Sequence, residues 1–344
     1  MQTEHLIIND IVKDRPKIER AAALILAGEL VGIPTETVYG LGANGLDADA
    51  AGRIFDVKGR PRDNPLIIHL AQMNDLDRYC INIPEAARIL ADRFWPGPMT
   101  LILERSELIP DIVTAGLSTV AVRFPDHPVA RELIRIAKVP IAAPSANLSG
   151  KPSPTRAVHV INDLAGRIAA VLDAGPSRVG VESTIIDVSG KTARILRPGG
   201  ITPQQIEEAI GSAELDTALF RPLGASEKPL APGMKYRHYA PRAKVVIVRG
   251  EPGNVRDYVN EQPDRSAAVL CFSGEENLYT GKRTLAYGSE TDYESLGENL
   301  FAALRELDCE DISVIYARCP RPEGVGIAVA NRLLKAAGHE VVEV

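Results

Sequence analysis

The chain has 344 residues, 45% hydrophobic, 24% charged and only 5% aromatic, with a formal net charge of −6. That length accommodates two domains and the balance is that of an ordinary globular protein, while the negative charge argues against nucleic-acid binding driven by overall charge. Cys80, Cys271, Cys309 and Cys319 are scattered without a C-x-x-C pair, which excludes a cysteine zinc site or a disulfide framework and fits a reducing cytoplasm. The N-terminal MQTEHLIIND lacks the basic region and apolar core of a signal peptide. No apolar run is long enough to span a bilayer.

In chain order, residues 17–27 predict a helix with Ile18, Ala21, Ala22, Ile25 and Leu26 recurring on one face. Residues 30–33 predict a strand. It runs into Pro34-Thr35-Glu36-Thr37-Val38-Tyr39-Gly40-Leu41-Gly42, read as a polar, glycine-flanked turn. Residues 47–57 predict a short helix with Ala50, Ile54 and Val57 aligned, which would carry the next loop back beside that turn. The loop is Lys58-Gly59-Arg60-Pro61-Arg62-Asp63-Asn64-Pro65, with three cations within five positions, and strand-like residues 66–70 follow it.

Further on, helices are expected at 85–94, 128–138 and 203–210, the last capped by Thr202. Strands are expected at 99–103, 119–124, 139–143, 169–173, 183–188 and 194–196. Strands outnumber helices and alternate with them irregularly, so residues 1–211 read as an α/β domain with a twisted mixed sheet and flanking helices. Residues 212–242 hold several prolines without periodicity and read as a linker or lid. Residues 243–344 change pattern. Buried, parallel-type strands at 245–248, 267–272 and 312–316, with helices at 296–307 and 325–337, read as a smaller Rossmann-like α/β domain.

A basic loop is most often a solvated surface. Here Pro61 and Pro65 stiffen it, and a stiff loop can present guanidinium groups to phosphate in a set geometry. Gly40-Leu41-Gly42-Ala43-Asn44-Gly45 fits G-x-G-x-x-G, but a polar hexapeptide separates it from the preceding strand and the position twenty residues on is Arg60 rather than an acid. That context argues against a dinucleotide fingerprint. Ser145-Ala146-Asn147 follows an apolar strand, where α/β sheets commonly bind ligands, although these residue types also make plain turns. Arg123 and Arg197 lie beside apolar strands, and His69 lies within an apolar run. No Walker A, H-E-x-x-H, G-x-S-x-G or metal-box spacing occurs. An enzyme built this way would work by positioning and charge neutralisation, which suits phosphoryl or nucleotidyl transfer.

These residues resemble a known family. Pro34–Leu41, Lys58-Gly59-Arg60-Pro61, Asn64-Pro65-Leu66, Trp95–Thr100, Ala121-Val122-Arg123, Ser145-Ala146-Asn147 with Ser149-Gly150, Glu182–Ile185 and Leu196–Gly199 together are similar to the YrdC-like domain of threonylcarbamoyl-AMP synthases. Ala231–Pro241 and the domain after it resemble the long, two-domain form. The resemblance implies formation of L-threonylcarbamoyl-adenylate and pyrophosphate from L-threonine, bicarbonate and ATP. The product would pass to a transfer complex that modifies the adenosine next to the anticodon in tRNA. It implies threonine contacts from Thr37, His69, Arg123, Ala143 and Ser183. It implies ATP contacts from Arg60, Asn64, Thr119, Ser145, Ser153, Arg197 and Tyr236. Lys58 and Arg60 would be catalytic, Mg2+ would accompany ATP, and the protein itself would supply no metal site.

The residue chemistry agrees. A substrate carboxylate suits Arg123, a hydroxyl suits Thr37, and phosphates suit Lys58, Arg60 and Arg197. Two rivals remain at this point. One is an RNA-binding translation or ribosome-assembly factor, with weak tRNA binding possible in either case. The other is a carbamoyltransferase using a ready-made donor.

Overall fold

The computed structural model describes residues 2–219, 229–232, 238–264 and 266–344. Tyr236 and much of the expected lid at 212–242 therefore lie outside the described residues. The chain divides into two compact units, Met1–Ser149 with Pro154–Lys235, and Gly150–Ser153 with Tyr236–Val344.

The first unit opens with β1 (Glu4–Ile7), an edge strand with alternate residues exposed. Helix α1 (Arg15–Leu26) has Pro16 in its first turn, where a missing N–H costs nothing. Strands β2 (Val31–Ile33) and β3 (Gly40–Asn44) pair antiparallel. Helix α2 (Ala48–Lys58) is capped by the Asp47 carboxylate and ends at Gly59 in the left-handed conformation. It leads to β4 (Ile67–His69), the short α3 (Leu76–Tyr79), α4 (Glu85–Phe94), β5 (Met99–Glu104), the short α5 (Asp111–Thr114), β6 (Thr119–Arg123), α6 (Pro128–Ala137) and β7 (Ile141–Ala142). Then come α7 (Ala157–Leu164), β8 (Ala170–Asp173), β9 (Thr184–Asp187), β10 (Arg194–Arg197), α8 (Pro203–Ile210) and β11 (Glu214–Leu215). Helix α8 carries a complete capping box between Thr202 and Gln205.

These strands form one mixed sheet of 11, in the order β1-β8-β2-β3-β7-β4-β6-β5-β9-β10-β11. Side-chain alternation sorts the core. One face packs Leu41, Ile68, Leu101, Val122 and Ile186 with residues of α2, α4 and α7. On the other face α1 and α6 cover the part from β1 to β7, where Val31, Ile33, Ile141 and Leu172 meet Ile18, Ile25 and Leu133. Over the rest of that second face the buried cluster is Ile67, Ala121, Ile102, Ile185 and Leu196, closed by Leu230 and Ala231 from a loop. The candidate site opens beside this cluster.

Two expectations are corrected. Gly40–Asn44 is a strand, not the tail of a turn. A Cβ at Gly42 would lie 3.0 Å from Ile141 Cγ2, so the glycine is there for close sheet packing and not for loop freedom. The G-x-G-x-x-G pattern thus begins along a strand. Residues 214–215 likewise leave the expected linker and pair with β10 as the last strand.

The second unit is a parallel sheet of β12 (Lys244–Arg249), β13 (Ala267–Cys271), β14 (Arg283–Ala286), β15 (Val314–Ala317) and β16 (Val341–Glu343), in the order β14-β13-β15-β12-β16. Helices α9 (Pro252–Glu261), α10 (Tyr293–Glu306) and α11 (Gly326–Ala336) connect the strands. No described helix is long and apolar enough to cross a membrane.

Candidate active site

Strand register places the polar residues. His69 on β4 stands opposite Arg123 on β6, and Arg123 stands opposite Thr100 on β5. Paired residues share a face, so all three project beside Ile67, Ala121 and Ile102 of the loop-covered cluster. Ser183, just before β9, bonds Thr100 Oγ1 through its Oγ at 2.7 Å. Arg197, at the end of β10, donates to the Ser183 carbonyl at 3.0 Å, to Ser183 Oγ at 3.2 Å and to the Pro232 carbonyl at 3.3 Å. Gly199 makes this approach possible. A Cβ there would stand 2.2 Å from the Thr184 nitrogen.

The Thr35–Val38 turn closes over this end. Arg123 Nη1 donates to Thr37 Oγ1 at 2.7 Å, and Thr37 Oγ1 lies 2.9 Å from Thr35 Oγ1. Ser177 Oγ donates to the Thr35 carbonyl and the Val179 amide to the Glu36 carbonyl, pinning the turn. Glu36 was not singled out from the sequence. It is 1% exposed, and its Oε1 lies 2.7 Å from Arg123 Nη2. Burial works against the Glu36 charge and is the largest single influence, yet the Arg123 guanidinium and the Asp126 amide together hold the carboxyl below its ordinary range. The ion pair lies off the direction of an aligned hydrogen bond, and among the described residues Arg123 Nε has no hydrogen-bond partner. The Nε–Nη2 edge of a buried arginine therefore retains donors for a planar, two-oxygen acceptor.

His69 is fully buried, with Nδ1 3.3 Å from the Ile141 carbonyl. Burial first, and the Arg123 charge second, push its pKa down to about 3. It is a neutral imidazole at physiological pH. Since the unfolded imidazole takes a proton near pH 6.5, folding stability is complete above that pH and falls as the solution is acidified toward the folded value. The slope from this residue alone is about 1.4 kcal/mol per pH unit. Denaturant melts of the parent and of His69→Gln between pH 7 and 4 should diverge, with the variant's profile flatter. Parallel profiles would show that His69 does not titrate this way.

A second cluster lies toward the start of β4 and β6. Lys58, 3% exposed, donates from Nζ to the Ser145 carbonyl at 2.5 Å and to the Asn147 carbonyl. Ser145 is bridged to Gly40, so α2 does bring the basic loop beside the 34–42 segment. Arg60 is buried and donates to the Asn64 and Pro65 carbonyls at 3.2 and 2.9 Å. Arg62 is the solvated member, paired with Asp56 at 2.8 Å across an exposed surface. Asn64 is 1% exposed and its Oδ1 has no hydrogen-bond partner among the described residues, leaving a buried acceptor for a ligand donor. Continuing the β4–β6 register puts Pro65 opposite Thr119. Ala143, bonded through its amide to the Ile67 carbonyl at 2.9 Å, lies between the two clusters. Thr119 and Arg123 share a strand face four residues apart, about 13 Å at strand rise.

Of the residues expected to bind threonine, Thr37, His69, Arg123 and Ser183 thus gather at one end, with Ala143 midway. Of those expected to bind ATP, Arg60, Asn64, Thr119 and Ser145 gather at the other, whereas Arg197 stands with Ser183. Ser153 is buried and groups with the second unit. Tyr236 lies outside the described residues.

Residues 23–199 match a family model described as "Telomere recombination" (Sua5/YciO/YrdC), and residues 201–338 match one described as "Threonylcarbamoyl-AMP synthase, C-terminal domain". A Bacillus subtilis protein named threonylcarbamoyl-AMP synthase is 46% identical over 99% of this chain and 97% of its own. A Mycobacterium tuberculosis protein named putative threonylcarbamoyl-AMP synthase is 39% identical over 56% of this chain and 89% of its own. The crystal structure of Pyrococcus abyssi Sua5 complexed with L-threonine superposes with a TM-score of 0.92 at 44% identity, covering all of both chains. On sequence, fold and domain order together, this chain belongs to the threonylcarbamoyl-AMP synthase family, in its two-domain form.

Proposed function

We infer that the protein is an L-threonylcarbamoyladenylate synthase, a nucleotidyltransferase that makes threonylcarbamoyl-AMP and pyrophosphate from L-threonine, bicarbonate and ATP for tRNA modification. One observation carries the reading. One sheet face carries an amino-acid end, where Arg123 keeps a donor edge, and Lys58 and Arg60 are fixed in a stiff loop beside the other end of the same strands, toward the start of β4 and β6. The names borne by relatives over the full chain point the same way.

In this reading the threonine carboxylate takes the Nε–Nη2 edge of Arg123. Glu36 offsets part of the arginine's charge and keeps the pocket near neutrality. Thr37, neutral His69 and Ser183 face the substrate hydroxyl. The amine, as the free base, attacks bicarbonate carbon, giving the carbamate and water. A carbamate oxygen then attacks the α-phosphorus in line with the departing pyrophosphate. Lys58 and Arg60 offset the charge that builds on the phosphates, and Arg197, held on Ser183, would reach them only from the amino-acid end.

The described residues offer no group of three or more His, Cys, Asp or Glu side chains that could hold an ion. That donor set fits a magnesium ion carried on the triphosphate rather than one caged by protein. When bound there, magnesium would neutralise phosphate charge. The product is a reactive mixed anhydride, so a tRNA-transfer enzyme is the partner its chemistry calls for.

The test is pyrophosphate release with each substrate omitted in turn. All three should be required. An RNA-binding factor would release none, and a carbamoyltransferase would not need bicarbonate with ATP. Selectivity is a second expectation. A pocket that hydrogen-bonds a hydroxyl leaves its own groups unpaired when the hydroxyl is absent, so valine should be rejected by roughly 10⁴-fold in kcat/KM. Equal rates with valine would remove the role given to Thr37, His69 and Ser183.

A further inference from the structure

The second unit contains a cavity of about 440 Å³, lined by Arg249–Pro252, Glu290 and Arg318–Pro322. Its position in the fold is specific. Arg249 ends β12 and Gly250–Pro252 follow it, while Arg318–Pro322 follow β15, the strand paired with β12. After β12 the chain crosses toward β13, and after β15 it crosses the opposite way to β16. Each connection thus passes the other strand, and with right-handed crossovers two connections running in opposite directions leave for opposite faces of the sheet. Open α/β sheets bind ligands in the crevice at the carboxyl ends of strands whose loops part in this way.

The lining has matching chemistry. Arg318, 5% exposed, is fixed by Glu275 at 3.1 Å, by the Gly250 carbonyl at 3.2 Å and by the Phe272 ring beneath it at 5.0 Å. It ties the two strand ends together and sets the crevice. Arg249 and Arg321 stand toward solvent at its mouth. Arg249, 40% exposed at its side chain, bonds the Cys319 side chain and lies 3.6 Å from Glu343, whose side chain is 69% exposed. Glu251 and Glu290 are exposed carboxylates on the same rim. Guanidinium groups suit a phosphate, and carboxylates at strand ends suit ribose hydroxyls. The volume lies within the range of small-ligand sites.

We propose that the second unit carries a binding site of its own for a mononucleotide, with Arg249 and Arg321 on the phosphate and Glu251 and Glu290 on the ribose hydroxyls. This site is separate from the catalytic reading and stands whether or not that reading holds.

Hydrogen–deuterium exchange on the full-length protein tests it, with AMP as the probe and adenosine and inorganic phosphate as comparisons. Peptides covering 249–252 and 318–322 should gain protection with AMP, and little with adenosine or with phosphate alone. The half-saturating AMP concentration for these peptides should rise at least tenfold in Arg249→Ala/Arg321→Ala, with melting temperature and pyrophosphate release retained. If the double variant folds poorly, Arg321→Ala alone, at an exposed position, should show a rise of several-fold. Protection confined to peptides of the first unit would overturn the proposal. So would protection of 249–252 and 318–322 that persists unchanged in the variants, or that phosphate alone reproduces.

Discussion

Glu36→Ala should destabilise the protein by about 3–5 kcal/mol, the cost of leaving one member of a buried ion pair uncompensated. Arg123, 4% exposed, would then keep its charge with Thr37, among the described residues, as its one hydrogen-bonded side-chain neighbour. Threonine binding should weaken as well, because the guanidinium would lose the contact that sets its plane. Glu36→Gln should cost less, since an amide oxygen still places a partial negative charge beside Nη2. A paired replacement, Glu36→Leu with Arg123→Met, should recover much of the lost stability while abolishing threonine binding, because a buried pair often exchanges for apolar residues at little net cost. Urea midpoints and threonine calorimetry on the four proteins are the check. A loss under 1 kcal/mol in Glu36→Ala would show that the carboxylate does not balance Arg123.

Lys58→Ala should lower kcat by roughly 10²–10³, about 2.7–4 kcal/mol of barrier, by analogy with loss of a fixed transition-state donor. The effect on KM for ATP should be smaller. Its ammonium is buried and anchored to the Ser145 and Asn147 carbonyls, so it is held in place before substrate arrives and costs no reorganisation during the reaction. Lys58→Arg should not rescue, because a planar fork cannot reproduce a compact ammonium between those two carbonyls. Arg60→Ala should show the converse split, with weaker ATP binding and a smaller loss of turnover, in steady-state pyrophosphate release. Full activity in both variants would return the loop to a surface feature.

How far the sequence disclosed this arrangement depended on range. Helix α4 (Glu85–Phe94) and α8 (Pro203–Ile210) were legible to the residue, because apolar spacing, an entering proline and a Thr202 cap are all local signals. Strand β3 was hidden, because glycines at 40 and 42 read as a turn. Only the close approach of Ile33, Ile141 and Ala143 shows why they stand in a sheet. Helices α7 and α9 went unmarked, as did the edge strand β1. The motif residues were legible, and the structure gathers most of them on one sheet face. The division of that face into two ends was not legible, since it arises from the register between β4, β5 and β6. Glu36 was passed over for the same reason. Its meaning comes from Arg123, a partner far along the chain that only sheet pairing brings to 2.7 Å.

The most direct measurement is mass spectrometry of the reaction run with L-threonine, ATP and ¹³C-bicarbonate. A threonylcarbamoyl-AMP adduct carrying one heavy carbon should form in step with pyrophosphate and vanish in Arg123→Ala. Pyrophosphate release without that labelled adduct, or an adduct whose carbamoyl carbon remains light, would contradict the account.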